Sequence, residues 1–181
     1  MDDGRPSTFV TPTTREVWLR GPLEGFDPVL MPAAHALLQS AEDLERAAGA
    51  LTPEQLWMRP GGAASVGFHL KHIAGSIDRL LTYARGEQLD ASQRAAIKAE
   101  QESGEPLVDA ATLIAGAVRA IQHAVQVLRD VPRESLFEPR GVGRAQLPTT
   151  VWGLLFHVAE HTQRHTGQVI TTAKIVRGAS D

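Results

Sequence analysis

Three histidines, His157, His161 and His165, stand four residues apart in the segment 150–174, TVWGLLFHVAEHTQRHTGQVITTAK. At about 100° per residue this spacing keeps all three imidazoles on one face of a helix. Neutral imidazole is the commonest protein ligand for metals, and two of them one turn apart can converge on a single ion. Leu154, Gln168 and Thr172 extend the same stripe. A second helical pattern carries His69 and His72. On it Ser65, His72, Ser76, Arg79 and Tyr83 form a polar stripe beside an apolar face, and His69 is rotated toward that face by about 60°. If the two helices are neighbours, His72, His161 and His165 come together. Three imidazoles with positions left for water or substrate are the pattern of a catalytic site rather than of a closed structural one. Gln168, one turn beyond His165, is placed to support a ligand by hydrogen bonding, and Gly167 permits close approach. On spacing alone the plain alternative, ordinary histidines at the edge of a core, stays open. That plain reading is preferred for the isolated His35 and His123.

Other chemistries fail on the letters. Cys is absent, which excludes disulfides, thiolate metal sites and a cysteine nucleophile, so any metal must sit on His, carboxylate or water. There is no HExxH and no Glu-x-x-His pair, which argues against a zincin and against a carboxylate-bridged di-iron bundle. Walker A, GxGxxG and GxSxG patterns are also missing. Nothing specific supports a haem. The formal net charge is −3 with no long basic run, so neither nucleic acid nor an anionic membrane is expected as the main partner. The N-terminus does not read as a secretory signal and no apolar stretch is read as membrane-spanning, so a cytoplasmic address is the default expectation.

The elements that must position the histidines follow from periodicity. The length of 181 residues suits a single domain. Residues 1–15, polar with two Pro, read as a loose arm ahead of one domain over 16–181. Residues 16–27 read as an irregular segment laid on the core by Trp18, Leu19 and Phe26. Asp27-Pro28 reads as a cap followed by Pro at the first helical position, opening a helix over 28–49. Thr52-Pro53-Glu54-Gln55 reads as a capping box on a short turn through Trp57. The second long helix spans 65–85 with Ser65 near its cap, and Gly86 ends it. Residues 90–103 read as a polar, solvated helix capped by Asp90. The third long helix spans 106–130, with Leu107, Ala111, Ile114, Val118, Ile121, Val125 and Leu128 on its apolar face. Residues 136–148 form a loop with room for a brief hairpin. Thr149 or Thr150 caps the last helix, over 150–176, whose core sector is Val151, Leu155, Val158, Thr162, Val169 and Ile175. Trp152 and Phe156 face away from the histidines and read as core, with a second buried face such as a dimer contact as the alternative. Four long amphipathic segments predict an all-α four-helix bundle.

Trp57, Pro60, Ser65, Val66 and His72, followed at long distance by His161, His165, Gly167 and Gln168, resemble the two motifs of the DinB/YfiT-like superfamily of metal-dependent enzymes. Thr166 stands where that family often has Arg. The resemblance covers roughly residues 25–176. It implies an up-down-down-up bundle with a long crossover between the second and third long helices, for which residues 87–105 are suited. It implies a divalent metal, zinc, nickel or iron, on His72, His161 and His165, and a homodimer. Characterised members include S-transferases that use low-molecular-weight thiols and a thiol-dependent isomerase. The expected function is therefore a thiol S-transferase or hydrolase acting on a small molecule. The alternatives are a non-catalytic metal- or ligand-binding protein and a dimeric scaffold with remnant histidines. Against the family pattern His157 becomes a pocket-wall neighbour rather than a fourth ligand. Ser76, Arg79 and Tyr83 are the candidates for orienting substrate, with His69 and Gln168 beside the ligands. No general base can be named.

Overall fold

Ser65, Asp109 and Thr150 each stand directly before a long helix, and each side-chain oxygen accepts one of the free N–H groups of the first turn. The acceptors meet Phe68, Thr112 and Gly153 at 3.1, 2.8 and 3.1 Å. Such caps fix where helices begin. The computed structural model describes residues 15–178. Within them run α1 (Met31–Ala48), α2 (Pro53–Trp57), α3 (Val66–Ala84), α4 (Ala91–Ala99), α5 (Ala110–Asp130), the strands β1 (Pro139–Val142) and β2 (Leu147–Thr150), and α6 (Val151–Gly178). The arm expected over 1–15 lies outside the described residues except for Arg15.

The four long helices form a square in which α6 packs on α1 and α3, and α5 packs on α3 and α1. Side-chain pairings give the directions. Gln163 donates to the Ala36 carbonyl and Arg177 to the Ala47 carbonyl, so α1 and α6 run parallel. His69 meets His165 while His72 meets His161, so α3 and α6 run antiparallel. Leu70 and Lys71 share one cavity with Thr112 and Leu113, and Ala84 and Arg85 share another with Val127 and Asp130, so α3 and α5 run parallel. The order is up-down-down-up. Two parallel helices in succession need a long return, and residues 85–109, carrying α4, supply it. One hydrophobic cluster draws Leu37 and Leu44 from α1, Leu70, Ile73 and Ile77 from α3, Ile121 and Leu128 from α5, and Leu155, Val158 and Val169 from α6.

Several boundaries differ from the sequence reading. Asp27 does not cap α1. Its side chain accepts the Val29 N–H, and its carbonyl accepts those of Leu30 and Met31, so a turn comes first and Pro32 falls in the first helical turn. α5 opens at Ala110 rather than 106 because Asp109 is its cap, which leaves Leu107 outside the helix and exposed; its buried face holds Ile114, Ile121 and Leu128 as expected, with Leu113, Ala117 and Ala124 in place of Ala111, Val118 and Val125. Val17, not Trp18 or Leu19, anchors the first segment together with Phe26. Ile175 is exposed rather than core. Phe156 is exposed too, whereas Trp152, on which its ring stacks at 5.5 Å, is half-buried and packs against the core, so the core expectation fails for Phe156 alone. The expected loop contains a hairpin, paired from Pro139↔Thr150 to Val142↔Leu147. By length and composition α5 is long and apolar enough to cross a membrane, contrary to the reading that no stretch is, yet its apolar face is buried against α1 and α3.

Candidate metal centre

Antiparallel packing of α3 on α6 brings two short histidine series face to face. On α3, His69 and His72 are one turn apart; on α6, His161 and His165 are one turn apart in the opposite direction. His72 Nε2 lies 3.0 Å from His161 Nε2, and His69 Nδ1 lies 3.1 Å from His165 Nδ1. The rings of His72 and His161 each sit 4.5 Å, centroid to centroid, from that of His165. His72, His161 and His165 each offer a nitrogen within 4.8 Å of the others, the reach of a single ion. Buried Thr162 and Thr166 flank His161 and His165, with hydroxyls donating to the Val158 and Thr162 carbonyls at 2.7 and 2.9 Å, so these small side chains are spent within α6 while the histidines turn toward α3.

Burial sets the charge state. It pushes His161 down to about 4, helped by the charges of His72, His157 and Arg164 and opposed by Glu160. Burial, then His72, His161 and His69, takes His165 to about 3. Burial, then His72, brings His69 to about 4. Neutral rings with free lone pairs are what a divalent ion requires near pH 7. His161 Nδ1 is also the one buried side-chain polar atom without a partner among the described residues. Three imidazoles with no carboxylate among them are a donor set that fits a metal such as zinc, nickel or iron.

These depressed values make a prediction for the metal-free protein. The unfolded chain takes up protons near pH 6.5, whereas the folded chain resists them until about pH 4. Stability is therefore full above the unfolded value and falls as pH drops through that window. The urea midpoint should decline steadily from about pH 7 to about pH 4.5; a flat profile there would contradict buried neutral rings.

Of the remaining sequence candidates, His157 lies beside the cluster, its ring 5.3 Å from that of His161 and its Nδ1 2.5 Å from Glu160 Oε1. Gln168 is exposed. Ser76 donates to the Ile73 carbonyl of its own helix rather than to the site. Tyr83 is half-buried against the core, eleven residues beyond His72, about 16 Å along the helix, too far to touch what the histidines hold. Arg79 is directed at a residue outside the bundle helices: its Nη1 donates to Glu100 Oε1 at 2.6 Å.

Glu100 is the group the sequence reading missed. It comes directly after α4, in a stretch read as solvated, yet it is 5% exposed and its Oε2 lies 2.7 Å from His72 Nδ1. Burial alone would raise its carboxyl, but hydrogen bonds from His72 and Arg79, together with their charges, outweigh it and hold the group below its ordinary value. The available signal was Arg79, a cation on the half-buried stripe of His72 with no acidic partner on that stripe. Phe68 was also given no role; its ring stacks on His72 at 5.4 Å and 13°.

A family model described as the DinB superfamily matches residues 36–169. A search of curated proteins finds no match. Among solved structures the chain is similar to YfiT from Bacillus subtilis, described as a probable metal-dependent hydrolase with an unusual four-helix bundle topology. The TM-score is 0.61 at 14% identity, over 85% of this chain and 91% of that one, a likeness of fold.

Proposed function

The chain belongs to the DinB superfamily, and on that premise we propose that it is a metal-dependent enzyme holding one divalent ion on His72, His161 and His165. The observation that carries this reading is the set of three imidazole nitrogens within 4.8 Å of one another, on rings of which two are pushed well below their ordinary pKa. Zinc, nickel and iron are the proposed occupants. The ion supplies Lewis acidity, which lowers the pKa of a ligated water or thiol toward neutrality. The protein's part is to keep three lone pairs converged. Phe68 stacks against His72, His69 backs His165 through the Nδ1 contact, and His72 gives its Nδ1 side to Glu100. His157, with its side chain 45% exposed beside His161, forms the solvent side of the site.

The reactions proposed are attack of a low-molecular-weight thiol, or of water, on a small electrophilic molecule: an S-transferase or a hydrolase. YfiT, described as a probable metal-dependent hydrolase, supports the second. A non-catalytic binder is the other reading. One observation favours it: among the described residues both carboxylates near the cluster are already engaged, Glu100 by His72 and Arg79, and Glu160 by His157 and Arg164, which leaves none of those free as base. A cytoplasmic homodimer belongs to the same proposal, with exposed Phe156, stacked on half-buried Trp152, at its contact surface. Metal-stripped and metal-loaded protein, assayed with small thiols plus electrophiles and with model esters and amides, separates the readings. Turnover confined to the loaded form is expected for an enzyme; inertness of both forms would favour the binder.

A further inference from the structure

Glu100 comes to the site from the crossover, not from the bundle. It is the residue that ends α4, and its neighbours are tied down with it: Lys71 Nζ donates to the carbonyls of Ala99 and Glu102 at 3.1 and 2.5 Å. The carboxylate is seated on Gly75, where a Cβ would collide with Glu100 Oε1 and with Arg79 Nη1. One oxygen faces His72 Nδ1 and the other faces Arg79. Buried carboxylates are costly, and this one is kept with both oxygens occupied. His72, Gly75 and Arg79 lie three and four residues apart on α3, so one face of that helix supplies a ring, a gap and a cation at the spacing a single carboxylate spans.

We propose that Glu100, seated on Gly75 and held by Arg79, is the positioning residue for His72. It accepts the Nδ1–H proton and so leaves the lone pair at Nε2, the nitrogen that faces His161. An ionised carboxylate behind a ligating imidazole fixes the tautomer, holds the ring plane and raises the donor strength of the opposite nitrogen. The proposal rests on the reading of His72, His161 and His165 as a metal centre.

Three variants test it through metal affinity, measured by chelator competition, and through the visible bands of the cobalt-loaded protein. Glu100→Gln keeps the volume and an acceptor but removes the charge; it should weaken binding about 10–100-fold and shift the cobalt bands. Gly75→Ala pushes the carboxylate off its seat and should move both readouts the same way. Ala is the better helix former, so that loss would not come from melting of α3. Gln93→Ala is the control: Gln93 ties the same crossover to α3 through Asp78 and Thr82 at 2.7 and 2.8 Å without touching His72. It should leave affinity and spectrum unchanged. Affinities of Glu100→Gln and Gly75→Ala within about twofold of the parent protein, with the same bands, would overturn the positioning role while leaving the metal centre standing. A parent protein that binds neither zinc nor cobalt would overturn both.

Discussion

His161→Ala should take the metal content of the purified protein from about one ion per chain to near zero. His161 has the strongest claim among the four clustered rings. Its Nε2 faces His72 Nε2 at 3.0 Å and its ring is 4.5 Å from that of His165. Removing it leaves two nitrogens, which cannot enclose an ion against competition from water and buffer. Tetrahedral protein zinc sites bind with about 10–16 kcal/mol in all. Shared over four ligands, one is thus worth about 2.5–4 kcal/mol, or roughly two to three decades of affinity. His72→Ala and His165→Ala should behave alike. His157→Ala should not, because that ring turns to Glu160 on the exposed side and is not among the three that converge. Elemental analysis of protein purified without a nickel column, with calorimetric titration of the stripped protein, measures both outcomes. A parent stoichiometry near zero, or one unchanged in His161→Ala, would remove the metal centre.

The histidines were legible because their signal is local. Four-residue spacing puts rings on one helical face whatever the tertiary context, and the caps at Thr52, Ser65, Asp90 and Thr150 act within three residues of themselves. Asp27-Pro28 misled for a related reason. An Asp before Pro also makes a tight turn, and the residues downstream, here Val29 to Met31, decide between turn and cap. Arg79 signals that an acid is needed but not which one: Glu100 lies 21 and 28 positions beyond Arg79 and His72 and reaches them only once the crossover folds back over α3. A polar amphipathic segment ending in AEQES looks the same whether the first of its two acids, Glu100, is solvated or buried. Phe156 shows the converse limit: large aromatic side chains usually go inside, and nothing local says that this one faces outward while Trp152, one turn earlier, packs on the core.

Leu128→Ala should cost about 3–4 kcal/mol of stability and leave the metal centre untouched. Leu128 is fully buried near the C-terminal end of α5, a helix that carries none of the clustered histidines. Truncation removes three carbons from contact and leaves a void that a close-packed bundle closes only in part. For a chain of this size the loss should lower the melting temperature by about 10 °C. Parallel pairing sets Leu113 beside Leu70, hence the stretch of α5 level with His72 near residue 115. Leu128 then sits thirteen residues farther on, about 20 Å away along the helix. At that separation two effects add to within about 0.5 kcal/mol. Metal at a hundredfold excess over Kd should stabilise parent and variant equally, by about 2.7 kcal/mol. Urea unfolding of both proteins with and without the ion completes the square. A cost below about 1 kcal/mol would contradict the packing of α5. A metal increment that shrinks in Leu128→Ala would mean that the far end of the bundle and the histidine face are coupled, and that the site depends on the whole core rather than on the α3–α6 seam.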